Sequence, residues 1–135
     1  MTKKIITQMS YEILGLAIKV HKELGPGLLE IIYEKCLLHE LIKNGFIVEE
    51  QKCVPIIYDG IKIDTDLKLD LLVNDSIIIE LKSVNQISPI HEAQILSYMK
   101  LLKKPQGLLI NFNSIRLTKS TKPFVNEYFR VLPDF

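Results

Sequence analysis

Three charged residues stand in stretches of the sequence that are otherwise apolar. Asp70 interrupts the run 69–73, and Glu80 and Lys82 flank Leu81 at the end of a run of isoleucines. Because side chains alternate along a strand, Glu80 and Lys82 point to the same face. Burying ionised groups without partners costs several kcal/mol or more. These residues therefore form either a buried charge network or a site that needs an anion beside a cation.

The turn at 74–76 decides whether Asp70 and Glu80 meet. A three-residue loop pairs Val73 with Ile77 and puts Asp70 opposite Glu80, whereas a two-residue loop puts them on opposite faces. Two carboxylates directly across a ladder repel each other. Such a pair is tolerated when one carboxylate is protonated or a divalent cation lies between them. Hard cations such as Mg²⁺ prefer carboxylate oxygens together with water and substrate phosphate.

The elements that must position these residues follow from the spacing of apolar residues. Helical spacing predicts helices over about 10–24, 28–44 and 90–104, with Ser10 as the first N-cap. Alternating or continuous apolar runs predict strands over 46–48, 54–58, 61–73, 77–81 and 108–112, with an edge strand near 123–131. Two helices, a run of strands, a third helix and further strands predict a single α/β domain, 1–135, with a mixed sheet.

Composition and charge limit the class of protein. Hydrophobic residues make up 47% and charged residues 24%, which is typical of a globular domain. The net charge of +1 excludes a polycation that holds nucleic acid by bulk charge. Residues 1–99 hold 10 bases and 14 acids (net −4), and residues 100–135 hold 7 bases and 2 acids (net +5). The basic C-terminal third either contacts phosphate or is a solvated surface.

The number of cysteines and the length of the apolar runs indicate the cellular compartment. Cys36 and Cys53 are too few for a disulfide scaffold or a cysteine-rich zinc site. The N-terminus leads into an amphipathic segment and not into a signal-peptide run. No apolar run approaches the roughly 20 residues needed to span a bilayer. We therefore expect a cytoplasmic protein with no membrane partner.

The spacing of the three charged residues carries a family resemblance. Asp70, nine residues and then Glu80-Leu81-Lys82 resembles the signature of the PD-(D/E)xK nuclease superfamily, although Leu69 stands where its strict pattern has proline. Further along, Gln94 and Tyr98 form a QxxxY motif on a predicted helix, which is similar to the helix motif of the RecB-like branch.

The N-terminal half narrows this resemblance. Gly27, Glu30 and Tyr33 form a G-x-x-E-x-x-Y motif, and over residues 10–115 the chain resembles the GxxExxY protein family within that superfamily. The resemblance implies a restriction-endonuclease-like domain, in which a mixed β-sheet core is flanked by helices.

The resemblance also implies roles for particular residues and a Mg²⁺ or Mn²⁺ cofactor. The implied metal ligands are Asp70, Glu80, the carbonyl of Leu81 and Glu30. Lys82 would activate the attacking water or neutralise developing charge. Gln94 and Tyr98 would orient Lys82, the metal waters or the substrate phosphate, although Tyr98, like Tyr33, would serve equally as a packing residue.

Three functions remain open at the level of sequence. The first is a metal-dependent nuclease that hydrolyses phosphodiester bonds of nucleic acid, with DNA as the expected substrate. The second is a non-cleaving module on the same fold that binds nucleic acid or protein, and the third is a structural role with a vestigial site. A homodimer is a further expectation, because small domains of this type often need a partner surface to enclose nucleic acid. His21 either faces the site as a ligand or has a structural role.

Overall fold

The computed structural model describes all residues from Met1 to Phe135. The helices are α1 (Lys3–Leu24), α2 (Glu30–Lys43), α3 (Pro89–Leu102) and α4 (Glu127–Arg130). The strands are β1 (Val48–Cys53), β2 (Ile56–Tyr58), β3 (Ile61–Ile63), β4 (Lys68–Val73), β5 (Ile77–Lys82), β6 (Gln106–Asn111) and β7 (Thr121–Val125). A 3-10 turn, Leu117–Ser120, precedes β7.

Five of the strands form one mixed sheet in the order β1-β4-β5-β6-β7. The β5–β6 pair is parallel and the other pairs are antiparallel, because α3 carries the chain from β5 back to the start of β6. Strands β2 and β3 form a separate hairpin around the predicted turn at Asp59-Gly60. The predicted α/β domain with a mixed sheet flanked by helices is confirmed.

Each face of the sheet has its own apolar core. On one face α1 and α2 contribute Ile13 and Leu37, which belong to the same buried cluster as Ile79 of β5. On the other face α3 packs Ile95 against Ile78. Strand β5 is therefore buried on both sides, as its continuous apolar sequence predicts. None of the helices is both long and apolar enough to cross a membrane.

The predicted start of the first helix at Ser10 is wrong. Helix α1 begins at Lys3, and the hydroxyl of Thr2 accepts the N-terminal capping hydrogen bond from the backbone N–H of Ile5 at 3.1 Å. The extra turns are held because Ile6 and Met9 are buried in the core beside the rest of the helix. This packing determines where the helix begins more strongly than the potential N-cap at Ser10 does.

The predicted strand limits need three corrections. Strand β1 occupies 48–53, between two of the predicted strands, because it pairs along β4. The predicted strand 61–73 is interrupted, since residues 64–67 lie outside both β3 and β4. The last predicted strand ends at Val125, because the side chain of Asn126 accepts hydrogen bonds from two backbone N–H groups and starts α4.

Tyr33 fixes the turn that joins α1 to α2. Its hydroxyl donates to the carbonyl of Gly25 at 2.6 Å and accepts from the backbone N–H of Leu28 at 3.1 Å. Its ring is fully buried and stacks on Phe112 with 4.4 Å between ring centroids. Gly25 and Gly27 take positive φ angles of 70° and 98°, which favour glycine in this turn. The tyrosine of the G-x-x-E-x-x-Y motif is thus a packing residue with a satisfied hydroxyl.

Substituting Tyr33→Phe should lower the free energy of unfolding by about 1–2 kcal/mol, because the hydroxyl's two backbone partners lose a hydrogen bond while the ring still packs. Urea denaturation followed by circular dichroism measures this difference. Tyr11→Phe is the matched control, since Tyr11 is 74% exposed. Equal unfolding midpoints for the Tyr33→Phe chain and the unmodified chain would contradict the assigned role.

Candidate active site

Asp70 and Glu80 come together across the β4–β5 hairpin. Val73 pairs with Ile77, which is the register of the three-residue turn at 74–76. The same register places Asp70 opposite Glu80, as the sequence predicts for that turn. The condition on which the acidic pair depends is therefore met.

The two carboxylates take the place of backbone pairing where β4 and β5 separate. The backbone N–H of Asp70 donates to Oε1 of Glu80 at 3.0 Å, and the N–H of Leu81 donates to Oδ2 of Asp70 at 2.8 Å. The regular pairing of the two strands extends only from Val73 to Leu71 on the β4 side. The side chains fill the opening between the strands and are fixed there by the backbone itself.

Burial and like charge act on Glu80 in the same direction. Removal from water and the nearby charge of Asp70 raise the pKa of Glu80 to about 9, against smaller opposing effects of the backbone hydrogen bond from Asp70 and of Lys82. Glu80 is only 5% exposed. A positive charge placed between Glu80 and Asp70 would stabilise the ionised form of this carboxyl. The pair is thus a favourable place for a cation or for a proton.

Lys82 ends β5 on the same side of the strand as Glu80. It is half-buried, and it takes part in none of the six ion pairs of the structure. Its charge nevertheless lowers the pKa of Glu80. The ammonium group therefore lies within electrostatic reach of the acidic pair without being neutralised by it.

Two residues near the acidic pair escaped the sequence analysis. Nε2 of Gln51 donates to Oε1 of Glu34 at 2.9 Å and lies 3.3 Å from Oδ1 of Asp70, so this amide bridges two carboxylates. Gln51 reaches both because its φ is 53°, although it lies within a strand. Glu34 has a sequence signal, since it is one helical turn after Glu30 and shares its face of α2. The left-handed conformation of Gln51 inside a strand has no such signal in the sequence.

Glu34 is one of two carboxyls that share a site behind Asp70. Burial, a hydrogen bond with Glu50 and the charge of Asp70 raise the pKa of Glu34. The pKa of Glu50 is lowered by its hydrogen bonds with Lys35 and with Glu34. Oε2 of each glutamate is buried and has no hydrogen-bond donor. Burial without a donor disfavours the ionised carboxylate, which agrees with the raised pKa of Glu34.

Glu30 reaches the end of β5 from the first turn of α2. Its Oε1 accepts from the backbone N–H of Ser83 at 3.3 Å, and the hydroxyl of Ser83 donates to the carbonyl of Leu28 at 2.6 Å. The side chain is exposed. These two hydrogen bonds attach the start of α2 to Ser83, the residue after Lys82. The hydrogen bond of Glu30 therefore goes to Ser83 and not to Asp70 or Glu80.

Helix α3 covers the acidic pair on the face of the sheet opposite to α1 and α2. Tyr98 is buried, and its pKa is raised by burial and then by the charges of Glu80 and Asp70. Gln94 lies one turn earlier on α3 and is half-buried, but no hydrogen bond of the structure joins it to the acidic pair. His21 is outside this group, because its Nε2 lies 2.7 Å from the carbonyl oxygen of Ser114.

Comparison with known proteins identifies the family. The model of the PD-(D/E)XK nuclease superfamily matches residues 7–124, which covers most of the chain and includes every residue of the candidate site. The chain belongs to the PD-(D/E)XK nuclease superfamily. Its single α/β domain is consistent with the restriction-endonuclease-like fold. No curated protein and no solved structure is similar enough to the chain to count as a match.

The donor types at this site fit the divalent metals that nucleases of the superfamily generally use. Asp70 and Glu80 supply hard carboxylate oxygens, and burial together with the charge of Asp70 raises the pKa of Glu80. No group of three or more His, Cys, Asp or Glu side chains is arranged to hold a metal ion. Mg²⁺ commonly takes one or two carboxylates from a protein and completes its shell with water and substrate phosphate. The pair therefore suits Mg²⁺ or Mn²⁺ in donor chemistry.

Proposed function

We propose that this protein is a Mg²⁺- or Mn²⁺-dependent nuclease that hydrolyses phosphodiester bonds of DNA. The observation that carries the proposal is the acidic pair of Asp70 and Glu80 in the opening between two central strands, with the unpaired ammonium of Lys82 on the same side. Membership of a nuclease superfamily supports the reaction class. The basic segment 100–135 supports nucleic acid as the substrate, because its net charge is +5.

Each site residue has a proposed part in this reaction. Asp70, Glu80, the carbonyl of Leu81 and Glu30 would hold the metal, which when bound supplies Lewis acidity and lowers the pKa of water. Lys82 would hold the attacking water or stabilise the negative charge that develops on the phosphate. Tyr98 and Gln94 would orient Lys82 or the phosphate from α3. Gln51 would keep Asp70 in place through its amide.

The proposal also places the chain in a narrower family within the superfamily. The G-x-x-E-x-x-Y motif at Gly27, Glu30 and Tyr33 supports placement in the GxxExxY protein family. Two unpaired cysteines support the reducing cytoplasm as its compartment. A homodimer is also proposed, because a domain of this size has little surface with which to enclose nucleic acid. Sedimentation equilibrium tests the dimer, and a monomer at all concentrations would exclude it.

The direct test of function combines metal binding with cleavage. Calorimetric titration with Mg²⁺ and Mn²⁺ should show binding to the unmodified chain and none to Asp70→Ala. Labelled single- and double-stranded DNA should be cut by the unmodified chain and not by Asp70→Ala. Asp75→Ala is the control, because Asp75 lies in the turn of the same hairpin and pairs with Lys104. Absence of cleavage with both metals on every DNA and RNA substrate would contradict the proposal.

A second candidate function has one observation in its favour. Asp70 and Glu80 already accept backbone hydrogen bonds from each other's strands, which is also a way to stabilise a hairpin without chemistry. A non-cleaving module that binds nucleic acid or protein on this fold would keep these bonds. Tight, salt-sensitive DNA binding without cleavage in Mg²⁺ or Mn²⁺ would favour this module over the nuclease.

A further inference from the structure

A crevice opens at the carboxyl ends of β5 and β6, the one parallel pair in the sheet. The connection after β5 leads to α3 on one face. The connection after β6 leads to the opposite face, where Leu117 joins the core formed with α1. Two neighbouring strands whose connections leave to opposite faces create the place where α/β sheets bind ligands. The topology alone therefore makes this crevice a candidate binding site.

The walls of the crevice are polar and contain no acid. Its volume is about 330 Å³, and Ile87 is the one hydrophobic residue among those that line it. The polar lining includes the side chains of Asn85, Gln86, Asn113, Lys119 and Lys122. Amides donate and accept hydrogen bonds, and lysines add positive charge. This chemistry fits a ligand that combines an anion with hydrogen-bonding edges.

The two walls are tied together before any ligand arrives. The side chain of Asn111 accepts from the backbone N–H groups of Val84 and Asn113 at 3.2 Å each, and donates to the carbonyl of Val84 at 2.9 Å. The hydroxyl of Ser120 donates to the carbonyl of Asn111 at 2.7 Å. The loop after β5 is thus fastened to β6 and to the turn before β7. Such preorganisation lowers the entropic cost of binding.

One lysine of the crevice is free to meet an anion. Lys122 pairs with Glu92 at 2.9 Å, whereas Lys119 belongs to none of the six ion pairs. Lys119 lies at the rim formed by the 3-10 turn. An exposed ammonium with no carboxylate partner is the group expected to contact a phosphate.

The crevice adjoins the acidic pair. Lys82 pairs in register with Asn111, which lines the crevice. Neighbouring strands are about 4.8 Å apart, so Asn111 lies one strand from Lys82 and about 10 Å from β4, which carries Asp70. A nucleic-acid strand whose scissile phosphate lies at Asp70 and Glu80 can therefore reach the crevice within a few nucleotides.

We propose that this crevice holds one unpaired nucleotide of the strand that is cut, with its phosphate on Lys119 and its base edge on the amides of Asn85, Gln86 and Asn113. A space of about 330 Å³ is at the lower end of small-ligand pockets and admits one nucleotide but not a duplex. Amides read base edges only when the base is unpaired or approached through a groove. The substrate class is thus single-stranded nucleic acid or a duplex with an unpaired end. This inference rests on the proposed nuclease function.

The test measures binding separately from cleavage. Fluorescence anisotropy gives the affinity of the Asp70→Asn chain, which should not cut, for a labelled single strand and for the blunt duplex of the same sequence. Adding Lys119→Ala should weaken single-strand binding about tenfold and reduce the slope of log K against log salt by about 0.7. Asn113→Ala should weaken it without changing that slope. Lys62→Ala is the charge-matched control on the β2–β3 hairpin, and duplex binding should stay unchanged throughout.

The outcomes separate this inference from the proposed function. Loss of single-strand affinity in Lys119→Ala upholds the crevice even if the unmodified chain never cuts. Unchanged affinity in Lys119→Ala overturns it even if the chain cuts DNA. Equal losses in Lys119→Ala and Lys62→Ala also overturn it, because they indicate bulk charge only. A nucleoside monophosphate that binds more tightly than the strand overturns it in favour of a free nucleotide.

Discussion

Replacing Lys82 with alanine is expected to lower the rate of phosphodiester cleavage by about 10²–10³-fold, the usual effect of removing one group that stabilises developing charge. The reason is geometric, since Lys82 is the ammonium beside Asp70 and Glu80 and is not neutralised by an ion pair. Its removal leaves the negative charge on the attacked phosphate without its nearest fixed cation. Single-turnover cleavage of labelled DNA in Mg²⁺ measures the effect.

The controls for Lys82→Ala separate chemistry from folding. Circular dichroism should show an intact fold, because Lys82 makes no ion pair that folding requires and is half-buried at the end of its strand. Lys43→Ala, an exposed lysine in the last turn of α2, removes the same charge and should cut at the normal rate. A Lys82→Ala chain that cuts as fast as the unmodified chain would show that Lys82 has no part in the reaction.

The second large effect is the pH dependence of stability set by Glu80. Its pKa is raised to about 9 in the folded chain, against 4.5 as the reference value. The folded state therefore holds a proton that the unfolded state has lost over most of this interval. The contribution of Glu80 to the free energy of unfolding must fall as pH rises from about 4.5 to about 9, by at most about 1.4 kcal/mol for each pH unit. The stabilising effect of the neutral carboxyl is complete below pH 4.5 and lost above 9.

Glu80→Gln should remove the part of the slope that belongs to Glu80, while the smaller contribution of Glu34, whose pKa is also raised, should remain. The glutamine oxygen can still accept the hydrogen bond from the backbone N–H of Asp70, but the side chain no longer ionises. Urea denaturation without divalent metal, at steps from pH 5 to 9, should show the variant more stable than the unmodified chain by a few kcal/mol near pH 9. Glu23→Gln, at an exposed position, should follow the unmodified chain.

Metal should narrow the stability difference between the two chains. In excess Mg²⁺ at pH 8 the unmodified chain should gain stability by mass action, about 2.7 kcal/mol at a hundred times the dissociation constant. The Glu80→Gln chain should gain less, since one carboxylate is missing. Parallel pH profiles for the two chains without metal would contradict the buried, neutral state of Glu80.

Much of the candidate site was predictable because it depends on short-range features. The three-residue turn at 74–76 fixes the register of the hairpin, and that register alone sets Asp70 opposite Glu80. The apolar run of β5 predicts a strand buried on both faces, and the spacing to Lys82 follows from alternation along that strand. Each of these features lies within one hairpin, where sequence separation is small.

The features that the sequence placed wrongly or did not indicate needed contacts between distant parts of the chain. The first turns of α1 depend on Ile6 and Met9 packing into a core completed by strands more than sixty residues away. The role of Gln51 depends on a left-handed backbone conformation inside a strand, which local propensity does not favour for glutamine. Glu34 shows a function only when β1 brings Glu50 and Gln51 against α2.

The sequence by itself determined the order of the elements around the site and the superfamily signature that ends at Lys82. It made the pairing of Asp70 with Glu80 conditional on a three-residue turn, and the structure supplied that condition. Alternation, turn length and residue type are properties of short segments, so they can be taken from the chain directly. Only the tertiary structure decided which connections leave the sheet on which face, and so where the crevice beside Lys82 opens. That choice depends on how α1 and α3 bury their apolar faces on opposite sides of one sheet, which no local segment specifies.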